Sequence, residues 1–162
     1  MKKVGLTLGK FAPLHRGHQH VIETALLEMD HVVVVIYDAK DVTPVPLSVR
    51  AEWIRKLYPT AEVIDGRDGP TEVGHTERIK SMQEQYIHGL LNGRRITHFY
   101  SSELYGEHMS QALRAVNRVV DIDRLKFPVS GTAIRKDPGK HISVLHPDVY
   151  KDLITNIVFL GA

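Results

Sequence analysis

The run His31-Val32-Val33-Val34-Val35-Ile36-Tyr37 constrains the fold of this 162-residue chain more than any other segment. Five successive β-branched residues favour a strand. A strand with no polar alternation must be buried on both faces, as in a parallel sheet. Upstream, Val4 to Leu8 is a short apolar run ahead of Gly9, and Val21, Ile22, Ala25, Leu26 and Met29 recur at helical spacing from about Arg16. Strand, helix and strand make a βαβ unit. The alternation continues with a helix capped by Ser48 and stopped at Tyr58-Pro59, a strand over 61–64, and a loop from Gly66 to Gly74. A helix over 76–91 closes at Asn92-Gly93, and a strand over 96–101 follows. A helix over 105–115, a strand over 119–122, a short helix from Gly131 and a last helix near 147–153 complete the pattern. It predicts an α/β fold, doubly wound and Rossmann-like, with a five-stranded parallel sheet and helices on both faces.

Length and composition set the remaining bounds. The size suits one domain. With no cysteine, a disulfide framework, a thiolate metal site and a Cys nucleophile are excluded. Lys and Arg exceed Asp and Glu by only two, which gives no electrostatic case for a nucleic-acid binder. No stretch has the roughly 18 apolar residues of a membrane span, and the apolar run after Lys2-Lys3 stops too early for a signal peptide. The expectation is a cytoplasmic protein that engages neither nucleic acid nor membrane.

Ligands of doubly wound sheets bind beyond the carboxyl ends of the strands, so the loop after the first strand is the first place to look. It reads Gly9-Lys10-Phe11-Ala12-Pro13-Leu14-His15-Arg16-Gly17-His18, and is neither a Walker A sequence nor a dinucleotide fingerprint. Gly9 lets the backbone turn off the strand. His15 and His18, three apart at a helix start, share a face. The helix N-terminus offers N–H groups to an anion, and Gly17 removes a side chain that would crowd it. Lys10 and the two imidazoles can donate to phosphate oxygens. A two-histidine metal site is the competing reading, and no third ligand lies within reach in sequence. A second candidate, Ser130-Gly131-Thr132-Ala133-Ile134-Arg135, has a hydroxyl to cap a short helix and a guanidinium one turn on.

The ten-residue string, with its H-x-G-H ending, resembles the signature of the nucleotidyltransferase superfamily, and Ser130 to Arg135 resembles that superfamily's second signature. The Lys10-Phe11 pair is similar to the variant in bifunctional NMN adenylyltransferase/ribosylnicotinamide kinases. The resemblance implies transfer of AMP from ATP to the phosphate of NMN, giving NAD and pyrophosphate by direct in-line attack. It implies catalytic roles for Lys10, His15, His18 and Arg135. It implies an ATP site of Gly9, Lys10, Phe11, His15, Gly17, His18, Ser102, Tyr105, Ser130, Thr132 and Arg135. Mg²⁺ is expected on the ATP phosphates, with no protein metal site. Asp38, Arg50 and Trp53 are the expected acceptor residues, with Arg50 on the mononucleotide phosphate and Trp53 stacked on the nicotinamide ring. The alternatives are that Trp53 belongs to the core and Arg50 is a solvated charge. Other adenylyltransferases, a cytidylyltransferase and a catalytically silent NAD- or ATP-binding sensor compete for the function, though His15 argues against pantetheine-phosphate enzymes, which usually carry Thr there. The domain is expected over 1–155. Residues 156–162 are expected as a strand, either a last edge strand or, by the same resemblance, the start of a P-loop kinase domain in a longer chain. A homo-oligomer is compatible with all of this.

Overall fold

A computed structural model describes residues 1–103 and 106–161, with side chains as far as Ile154. The strands are β1 (Val4–Gly9), β2 (His31–Tyr37), β3 (Glu62–Gly66), β4 (His98–Ser101) and β5 (Val116–Val119). The helices are α1 (Arg16–Glu28), α2 (Leu47–Leu57), α3 (Glu77–Leu91), α4 (Glu107–Leu113), α5 (Gly131–Lys136) and α6 (Pro147–Gly161), with a 3₁₀ segment at Pro138–Val144. All strand pairs are parallel, in the order β3-β2-β1-β4-β5. The expected doubly wound, Rossmann-like fold is the one observed.

The β2 run shows why the sheet is covered on both sides. Val32, Val34 and Ile36 pack with residues of α1, α2, α5 and α6 in one cluster. Val33 and Val35 pack with Ile87 and Leu91 of α3 and Met109 of α4 in the other. Each of these five side chains is almost wholly buried, and each contributes about 1.5–3 kcal/mol by leaving water. The register pairs Val4 with His31 and Gly9 with Ile36, so the loops after β1 and β2 leave the sheet side by side. Ser101 likewise pairs with Val119, which brings together the loops after β4 and β5. Strand order reverses between β1 and β4, the place where such sheets open a crevice.

Three local expectations are corrected. The last strand was expected over 119–122 and lies at Val116–Val119, because Arg114 takes left-handed backbone (φ 54°) and ends α4 at Leu113, so the strand begins earlier. Ser48 does not cap α2. The helix starts at Leu47 behind an extended Pro46, whose carbonyl accepts the Arg50 N–H. Residues 156–161, expected as a strand, continue α6; a short apolar run does not by itself distinguish the two. No helix among the described residues is long and apolar enough to cross a membrane.

Candidate active site

A cleft of about 800 Å³ opens at the carboxyl ends of the strands and is lined by both sequence motifs. Its first wall is the loop from Gly9 to His18. Phe11 takes left-handed backbone (φ 48°) and turns its ring inward, edge-on to His18 at 4.9 Å between centroids. His15 is the N-cap of α1. Its Nδ1 accepts the N–H of Gly17 (3.0 Å) and of His18 (3.3 Å), while the N–H of His15 donates to Nδ1 of His18 (3.3 Å). The rings stack at 3.7 Å. This is a capping box made of two imidazoles.

Two expectations change here. The amides of Gly17 and His18 are not free for an anion, because His15 already holds them. Gly17 is required less by a ligand than by His15: a Cβ there would sit 2.8 Å from Cε1 of the His15 ring.

The cap also fixes the chemistry of the rings. An Nδ1 that accepts an N–H carries no proton, so each neutral ring carries it on Nε2. Burial, and then the charge of Arg124, lower the His15 pKa to about 4. Burial, His15 and Arg124 hold His18 well below the usual imidazole value, against an opposing contribution from the Pro13 carbonyl. At neutral pH both rings are therefore uncharged, and both line the cleft.

The second wall is Ser130 to Arg135. Ser130 caps α5, its Oγ accepting the Ala133 N–H at 3.2 Å, which leaves its hydroxyl proton to donate elsewhere. Arg135 donates through Nη1 to the Ala12 carbonyl (2.7 Å) and through Nη2 to Oγ1 of Thr132 (3.2 Å). That first bond spans 123 positions and ties the second motif to the first. Gly9, Lys10, Ser102 and Asp38 also line the cleft, with Lys10 exposed at its lip and Asp38 within 3.8 Å of the Lys40 ammonium. Tyr105 lies outside the described residues.

Arg50 and Trp53 do not reach the cleft. Arg50 is buried, and donates to the carbonyls of Val45 (3.0 Å), Lys10 (2.6 Å) and Tyr37 (2.9 Å). Its bonds tie the loops after β1 and β2 to the start of α2. Trp53 belongs to the core and donates through Nε1 to Asp152 (2.7 Å). Sequence reasoning missed Arg124, which faces the cleft and is charged close enough to both imidazoles to depress them. It also missed Glu103, the 68–75 loop and His108 as lining residues. Only the place of Glu103, just after the fourth strand, was a signal for any of them.

A family model described as cytidylyltransferase-like matches residues 6–156. The chain belongs to the cytidylyltransferase-like family. The two segments that resemble nucleotidyltransferase signatures face one cleft in it. Among solved structures it is similar to a NadR protein in complex with NAD and AMP-PNP, at 22% identity over 89% of this chain and 44% of that one, TM-score 0.66. It is also similar to a putative nicotinate-nucleotide adenylyltransferase from Vibrio parahaemolyticus, at 18% identity over 95% and 99% of the two chains, TM-score 0.59. A bifunctional NMN adenylyltransferase/ADP ribose pyrophosphatase from Francisella tularensis, complexed with AMP and a manganese ion, is 17% identical over 75% and 37%, TM-score 0.51. This family member thus spans less than half the length of the NadR chain. No curated protein sequence matches it.

Proposed function

We propose that this cytidylyltransferase-like domain transfers AMP from ATP to the phosphate of NMN, forming NAD and pyrophosphate. The observation that carries the reading is the bond from Arg135 to Ala12, which sets a cationic wall against two neutral imidazole donors across one cleft. An NMN phosphate oxygen attacks the α-phosphorus. A new P–O bond forms as the bond to the β-phosphate bridging oxygen breaks, and the electron pair leaves with pyrophosphate. The attacking phosphate is already ionised at neutral pH, so the site needs no strong base. It needs donors aimed where charge develops.

In this assignment His15 and His18 donate Nε2–H to the transferring phosphate, while Thr132, Arg135 and the Ser130 hydroxyl hold the β- and γ-phosphates with Lys10 at the lip. Among the described residues no group of three or more His, Asp or Glu side chains could hold a metal. The donor set, rich in hydroxyls and cations, suits a divalent ion carried by the triphosphate itself, where it would neutralise phosphate charge; Mg²⁺ is the ion proposed. The manganese ion and AMP in the Francisella structure support a divalent metal and an adenine nucleotide, and the NAD in the NadR structure supports the acceptor. With Arg50 and Trp53 withdrawn, the acceptor's base falls to the half of the cleft lined by Tyr37, Asp38 and the 68–75 loop.

The family's name favours a second reading, a cytidylyltransferase acting on a phosphorylated alcohol. A silent sensor is disfavoured because both walls carry their full set of donors. The test is a product screen by mass spectrometry, with Mg²⁺, ATP or CTP, and a panel of phosphorylated acceptors. NAD from ATP and NMN alone supports the proposal. A cytidylylated product moves the assignment to the second reading, and no product from any pair supports the sensor.

A further inference from the structure

Arg124 is a cation of the cleft to which neither motif gives a role. It sits in the turn between β5 and Ser130, which is folded around one carboxylate. Oδ1 of Asp121 accepts the Leu125 N–H (3.1 Å), and Oδ2 accepts those of Lys126 (3.1 Å) and Phe127 (3.4 Å). Asp121 and Arg124 both take left-handed backbone, with φ of 50° and 52°, a conformation that non-glycine residues keep only where surrounding bonds impose it. The turn holds that strain and aims the Arg124 guanidinium at the cleft, near enough to lower the pKa of both His15 and His18.

The guanidinium has two anchors of different kinds. Nη1 donates to the Val129 carbonyl (3.3 Å), the residue just before Ser130, so this anchor is part of the second wall. Nη2 donates to Oε1 of Glu103 (3.1 Å), on the loop after β4. A carbonyl is a fixed backbone acceptor. A carboxylate is an exchangeable anion, and the guanidinium fork that fits it fits a phosphate equally well. Glu103 lines the same cleft, half-buried. Its burial pushes the carboxyl pKa up against the pull of Arg124, so its charge is poorly solvated where it stands.

We propose that Glu103 holds the place of a nucleotide phosphate on Arg124, and that an incoming polyphosphate takes the guanidinium from the carboxylate while the Val129 contact persists. Arg124 is then a third cationic contact to the phosphates, beside Lys10 and Arg135, and Glu103 sets how tightly they bind. The inference rests on the proposed function only in naming the phosphate as that of ATP.

The roles predict opposite signs for the two partners, which a purely structural ion pair does not. Calorimetric titration of wild type, Arg124→Ala, Arg124→Lys and Glu103→Gln with Mg-ATP, tripolyphosphate and adenosine separates them. Loss of one charge-assisted contact should weaken Mg-ATP and tripolyphosphate about 10- to 100-fold in Arg124→Ala, and less in Arg124→Lys, which keeps the charge but not the fork. Glu103→Gln, close in shape to the wild type, should bind both polyphosphates several-fold more tightly. Adenosine should be unaffected throughout, and melting curves confirm that each variant is folded. Weaker polyphosphate binding in Glu103→Gln, in step with Arg124→Ala, would overturn the proposal, as would unchanged tripolyphosphate affinity in Arg124→Ala. NAD formation by wild type is assayed alongside. If no NAD forms yet the two variants move in opposite directions, only the acceptor assignment falls. Wild type that binds no polyphosphate overturns both.

Discussion

The two walls of the cleft begin from the same device, a helix N-terminus capped by a side chain, and end with different chemistry. At α1 the cap is an imidazole, buried, and its partner three residues on is a second imidazole stacked upon it. At α5 the cap is a hydroxyl, and the residues after it, Thr132 and Arg135, are exposed. The first wall takes the positive end of a 13-residue helix and passes it through two rings, so that each Nδ1 is satisfied by an amide. It offers directed donors without net charge. The second wall offers full charge on an accessible side chain. One wall is suited to a geometry that exists only as phosphorus transfers. The other is suited to holding a polyanion before and after.

Breaking each wall separately should give different kinetic signatures. His18→Ala removes a preorganised donor and is expected to lower kcat about 100- to 1000-fold, with KM for ATP little changed and the melting temperature lowered by the loss of one partner of the capping box. Arg135→Ala is expected to lower turnover as well, but with a marked rise in KM for ATP, since it also removes ground-state charge. Steady-state kinetics on both variants checks this. Equal, parallel effects would erase the distinction between the walls.

The next effect tests what stands behind the first wall. Arg50→Ala removes a buried guanidinium and leaves the carbonyls of Lys10, Tyr37 and Val45 unsatisfied. It is expected to cost about 3–4 kcal/mol of stability by chemical denaturation. Acceptor KM measured on whatever fraction folds should be unchanged, whereas a residue that bound the acceptor's phosphate would raise it sharply.

Acid should unsettle the first wall before the second. An unfolded imidazole takes a proton near pH 6.5, and folded His15 only near 4. Between those values the unfolded state binds more protons, so stability is full above pH 6.5 and falls as pH drops towards 4. His15 alone accounts for about 3 kcal/mol of that loss, and His18 shifts in the same direction. Denaturation midpoints across pH 4–8 test it; a midpoint that does not move contradicts buried neutral rings. The smallest effect belongs to the second wall. Ser130→Ala loses one cap bond and about 1 kcal/mol.

The comparison also explains what could be read from the sequence. The β2 run announced its double burial because five β-branched residues leave no polar face to turn outward. The first wall was legible as a string, since Gly9, His15, Gly17 and His18 must be contiguous to build one turn. Its proton arrangement was not, because that depends on which backbone N–H groups meet each ring. On α2 the sequence placed Arg50 and Trp53 on one helix, three apart, but it could not say that three loop carbonyls wait there for a donor. Arg124 stayed hidden for a related reason: its orientation comes from left-handed backbone at two residues that are not glycine. The slip of the last strand has the same origin at Arg114.

The first wall works with neutral rings whose Nδ1 atoms are consumed by the helix start. Nitrogen-15 NMR of the His15 and His18 side chains across pH 5.5–8 reads it directly. Two Nε2-protonated neutral rings are expected, with no titration through that range. Titration near pH 6.5, or protons on Nδ1, would contradict it.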